Sequence, residues 1–142
     1  MLDCEVYNMS YLKMYFVALV IFLILDYIWL GFIAKDLYQK ELSHLLAKNV
    51  NFVAAIVFYV LFIAAVVFFV INPAVEKQDI MYAIIAGFAF GAITYATYDL
   101  TNLATLKDWP IKVTIIDILW GGLLTSLVSS LTYYILDVFR IL

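Results

Sequence analysis

The chain has 142 residues, 68% hydrophobic and 13% charged, with a formal net charge of −3 and a mean hydropathy of +1.07. Ordinary globular domains are about half apolar and about a quarter charged, so this composition excludes a soluble protein. The modest negative charge offers no electrostatic footing for nucleic acid, and little length is left for a soluble catalytic domain.

A membrane-spanning helix needs about 20 apolar residues. Four such segments with short loops account for nearly the whole sequence, which predicts an all-α polytopic membrane protein: four transmembrane helices in one compact bundle. The expected spans are about 11–34, 50–71, 80–106 and 109–138, in a single integral membrane domain covering 1–142. Cys4 is the only cysteine, so no intrachain disulfide or thiolate cluster is expected, and Cys4 receives no role. The first apolar run is too long for a signal-peptide core and lacks a small-residue cleavage site, so it reads as a retained span.

Residues Met1 to Ser10 are polar and read as a frayed end, with Met9 as an alternative start. Span one is apolar on all sides except for Asp26, with Trp29 three residues later on the same helix face. Asp26 lies eight residues before Ala34, about 12 Å of helix. A short carboxylate cannot snorkel that far. In the first loop, Leu37, Glu41, His44, Leu45 and Lys48 follow a helical period, which predicts a short interfacial helix. His44, the only histidine, reads as a solvated interfacial side chain first and a ligand second.

Span two carries no charge, and Asn72-Pro73 is expected to end it. Its aromatic residues read as packing and lipid contacts. A loop over 73–79 makes spans two and three antiparallel neighbours. Span three contains Ala83, Gly87 and Gly91, a ridge of small residues that lets helix backbones approach closely in lipid. Asp108 is expected to cap span four, with Pro110 in its first turn. That span carries Asp117 and Trp120 three apart, and a second small ridge of Gly122, Ser126 and Ser130. Both ridges read as internal packing first and as homo-oligomer faces second.

With four spans, Asp26, Asp99 and Asp117 fall in the same leaflet half. Each is about 10–12 Å from the nearest helix end, so the three acids are expected at one depth. An acid at a span centre costs about 2.5–3.5 kcal/mol on insertion scales. No lysine or arginine lies within a span core to offset them. Protonation, hydrogen bonds or a bound cation must therefore neutralise them. The ligand- or proton-binding candidates are Asp26, Trp29, Tyr98, Asp99, Thr101, Asn102, Asp117 and Trp120, with His44 as a weaker one. The bland alternative is a hydrogen-bonded polar plug that sets helix register. No catalytic residue, metal or cofactor is assigned. Five basic residues flank the acid side and three the other, which places the acids toward the cytoplasm.

The segments FLILDYIWLGFIA, ELSHLL and TYDLTNLATLKDWPIKVTIIDILWG resemble a bacterial family of small four-span integral membrane proteins known as a domain of unknown function. The resemblance extends from Met9 onward and implies a multi-pass protein of the bacterial inner membrane, with no activity to transfer. Three readings are compatible with the residues. One is a polar pocket for a proton, cation or small polar ligand, with transport as its use. Another is a membrane-embedded enzyme acting on a lipid or isoprenoid, with the acids, Asn102 and His44 holding a metal or dividing acid and base roles. The last is a structural or regulatory subunit docking through the small ridges.

Overall fold

Hydrocarbon offers no water to a backbone N–H or C=O, so apolar segments of this length close their hydrogen bonds within helices. The computed structural model describes the backbone of residues 2–139 and the side chains of residues 10–139. Arg140, beyond the last span, and the side chain of Cys4 lie outside the described residues. All regular elements among the described residues are helical: α1 (Leu2–Ile28), α2 (Lys35–Leu42), α3 (Phe52–Val66), α4 (Asn72–Lys77), α5 (Ile80–Thr105) and α6 (Ile111–Val138). Single π turns at Trp29–Ile33 and Val67–Ile71 extend α1 and join α3 to α4.

Four segments are long and apolar enough to cross a membrane: Ser10–Ile33, Phe52–Lys77, Ile80–Thr105 and Ile111–Val138. Span two thus runs on past Asn72-Pro73, against expectation. The π turn explains it. The Asn72 N–H bonds the Val67 carbonyl, five residues back, and this wider ladder accommodates the proline. Stopping at Asn72 would leave carbonyls bare in lipid, and local π adjustments are a known remedy. The helix ends only at Gln78, in the left-handed region at φ 51°, with its N–H on Ala74 and Val75 carbonyls. Asp79 then caps α5, accepting from the Met81 and Tyr82 N–H groups. The second connection is therefore two residues long, not seven.

Three other boundaries differ from expectation. Residues Leu2 to Ser10, expected as a separate polar end, continue the helix of span one, which begins at Leu2. Asp108 does not cap span four: it adopts φ 60° in the turn, a region aspartate tolerates. Pro110 occupies the cap position and α6 starts at Ile111. The loop-one helix exists but stops at Leu42, leaving exposed His44 in the following turn.

The two small ridges meet each other. A Cβ on Gly91 would collide with the Gly121 carbonyl, one on Gly87 would press on the Ser126 backbone at 3.0 Å, and one on Gly122 would strike the Phe88 ring. Ser126 Oγ donates to the Ile84 carbonyl at 3.0 Å across the same seam. Backbone contact this close needs small residues on both helices. Gly87, Gly91, Gly122 and Ser126 are thereby engaged inside the chain, in keeping with their first reading as internal packing.

Packing is uneven along the bundle. Met14, Ala18 and Phe22 of α1, Ile63, Val66, Val67, Val70 and Ile71 of span two, and Leu124, Val128 and Leu136 of α6 form the apolar core. These positions lie toward the end that holds the termini. The other end, beneath the first and third loops, carries the acids.

Candidate functional site

At that end, a cavity of about 220 Å³ is lined by Asp26, Trp29, Leu30, Tyr38, Ala55, Phe58, Tyr59, Tyr95 and Trp120. Each of the four spans and the loop helix α2 contributes to it. The π turn that begins at Trp29 lets the Ala34 N–H reach the Trp29 carbonyl at 2.8 Å. Trp29 and Trp120 stack with ring centroids 4.2 Å apart and planes 6° from parallel.

This stack sets the register of the acids. Trp29 lies three residues beyond Asp26 toward the surface, whereas Trp120 lies three residues deeper than Asp117. With the indoles level, Asp26 sits about 5 Å below them and Asp117 about 5 Å above. By that helical rise Asp26 and Asp117 lie on different levels. Antiparallel helices carrying the same D-x-x-W spacing place their acids on opposite sides of a shared tryptophan layer.

Each acid has its own surroundings. Asp26, 7% exposed, accepts a 2.6 Å hydrogen bond from the Tyr59 hydroxyl. Asp117, 9% exposed, accepts one of 2.6 Å from the Tyr38 hydroxyl, which in turn accepts from Trp29 Nε1 at 3.0 Å. Burial, and then the bond to Asp117, raise the Tyr38 phenol well above its ordinary range. Asp99 is fully buried, within electrostatic range of Asp117, and neither of its oxygens has a hydrogen-bond partner. Trp120 Nε1 is also buried without one. Tyr95 lies within electrostatic range of all three acids and packs its ring over Gly121.

The cavity thus brings Asp26, Trp29 and Trp120 together and reaches Asp117 through Tyr38. The other candidates lie outside its lining. Tyr98 is 61% exposed and packs edge-on against Trp109 at 5.8 Å. Asn102 lies within reach of the Tyr98 hydroxyl one turn back, and exposed Thr101 donates to the Thr97 carbonyl at 2.5 Å. His44 faces solvent. Among the described residues no three of the His, Cys, Asp and Glu side chains are arranged to hold a metal ion.

Sequence reasoning missed Tyr38, Tyr59 and Tyr95. For Tyr95 a signal existed. The series Ala83, Gly87, Gly91, Tyr95, Asp99 repeats every four residues, so the small ridge carries both onto the face toward α6. Tyr59 had no such mark within a uniformly apolar span. Tyr38 shares its helix with exposed charges, and its inward turn is a tertiary fact.

Four packed apolar helices, each long enough to cross a bilayer, define a small multi-pass integral membrane protein. The chain belongs to the family DUF2177, described as a predicted membrane protein, whose model matches residues 11–134. No curated protein and no solved structure matches it.

Proposed function

We propose that this protein binds a small organic ammonium ion within the membrane, with Asp26 as its counter-ion and the tryptophan stack as its wall. The observation that carries this reading is a single buried acid facing an aromatic-lined cavity with no basic residue in the lining. A carboxylate supplies charge pairing, and tryptophan and tyrosine faces add cation–π attraction of about 2 kcal/mol where water is excluded. Cavities for drug-sized ligands run to about 300–1,000 Å³, so about 220 Å³ suits a small ion or the head of a larger molecule. Tyr59 holds Asp26 in place while leaving the carboxylate free to accept more than one further donor.

A proton is a second ligand for the neighbouring pair. Asp99 faces Asp117 with no hydrogen-bond donor of its own, and two adjacent acids in hydrocarbon call for a neutralising proton or cation.

The test is titration of butylammonium into the protein in nanodiscs, read by tryptophan emission, since Trp29 and Trp120 are two of three tryptophans. Saturable quenching that Asp26→Asn removes is expected. No saturable signal, or equal binding by the Asn variant, would refute the assignment. Reconstituted vesicles loaded with the same ion then show whether binding leads to transport.

A further inference from the structure

A second cavity adjoins the first. It measures about 310 Å³ and is lined by Phe58, Thr94, Tyr95 and Tyr98. Phe58 and Tyr95 belong to both linings, so these two side chains stand between the two spaces. The walls are hydrocarbon and aromatic ring. The Thr94 hydroxyl is turned back onto its own helix, donating to the Phe90 and Gly91 carbonyls at 2.8 and 2.9 Å. Phe58 and Tyr98 are exposed at its edge, on the lateral surface between α3 and α5 where lipid lies.

An acid-bearing cavity thus borders an apolar groove that reaches the lipid-facing surface, with Phe58 and Tyr95 between them. Tyr38, bonded to Asp117, is part of the first cavity's wall, and the groove borders that cavity from the side of the bilayer. We infer that the ligand is a long-chain ammonium amphiphile, its head at Asp26 beside the tryptophan stack and its hydrocarbon chain between Phe58, Thr94 and Tyr98. The inference rests on the ammonium-binding reading above and adds the chain.

Where the binding energy resides follows from the solvent. An alkyl chain in the bilayer is already out of water, so moving it into an apolar groove gains little transfer energy. The groove selects shape and direction, while the carboxylate and the rings hold the head. A probe of position is therefore more telling than a comparison of affinities across chain lengths.

The experiment uses dodecylammonium with a mid-chain diazirine, photolysed with the protein in phosphatidylcholine nanodiscs and mapped by peptide mass spectrometry. Adducts are expected on Phe58, Thr94 and Tyr98, about tenfold above lipid-facing Phe16 or Ile85 and falling about tenfold in Asp26→Asn. Thr94→Phe, which fills the groove, should abolish those adducts and leave butylammonium binding intact. Adducts scattered over all lipid-facing helices, with butylammonium still bound at Asp26, would overturn the amphiphile alone. Failure of butylammonium to bind in an Asp26-dependent way, together with scattered adducts, would overturn both readings.

Discussion

The Tyr38 hydroxyl donates a 2.6 Å hydrogen bond to Asp117 across 79 positions of sequence. It ties the loop helix α2 to the membrane helix α6 and supplies Asp117 with a short hydrogen-bond donor. Its companion link, Lys112 to Glu41 at 3.9 Å, joins an exposed lysine to a half-buried glutamate and contributes little.

Tyr38→Phe should therefore loosen α2. Hydrogen bonds to charged groups are worth about 1.5–3 kcal/mol in water-soluble proteins, and side-chain bonds in membrane bundles average about 0.6 with a maximum of about 1.7 kcal/mol. A site at the membrane edge should fall between, at about 1–2 kcal/mol. Denaturant unfolding would measure the loss, and faster amide exchange confined to residues 35–42 would locate it. Asp117→Asn keeps an acceptor and should cost less.

The same bond predicts a pH response. Tyr38 is held neutral by burial first and by its bond to Asp117 second, whereas in the unfolded chain it ionises near pH 10 (about the model-peptide value). Because the folded group binds its proton more tightly, its contribution is fully present below about pH 10 and declines as pH rises further. Phenolate absorbance of the folded wild type and of Tyr38→Phe should coincide up to about pH 11. A missing phenol near pH 10 in the variant would contradict this.

Gly91→Leu should separate α5 from α6. Even a Cβ there runs into the Gly121 carbonyl and the Thr125 hydroxyl, and backbone on both sides cannot yield. Overpacking of this kind costs about 1–3 kcal/mol or more. Gly31→Ala is the matched control, since the nearest atoms to its Cβ are Tyr27 ring carbons at 3.9 Å or beyond. Thermal unfolding in detergent should distinguish the two clearly.

Asp99→Leu should not destabilise the fold. Neither carboxylate oxygen has a hydrogen-bond partner, and replacing an unpaired buried polar group by an apolar one of similar shape is neutral or stabilising by about 1–3 kcal/mol. If the pair with Asp117 handles a proton, any proton-linked ligand movement should disappear in the same variant. A drop in unfolding midpoint would instead mark Asp99 as a structural plug.

Much of the architecture was legible in the residues. Composition and four apolar runs determined a four-span membrane protein, because hydrocarbon admits no other closed backbone at this length. The period-four small residues on spans three and four announced a close helix pair. Asp26, Asp99 and Asp117 announced themselves by their rarity in such a setting. Tertiary structure decided what surrounds each of them. It engaged the glycine ridges with one another, carried span two through Pro73 on a π turn, and levelled Trp29 with Trp120 so that Asp26 and Asp117 lie on opposite sides of the stack. It also turned Tyr38, Tyr59 and Tyr95 inward. Helical period places a residue on a face, but which face meets which, and at what relative height, depends on packing between segments distant in sequence.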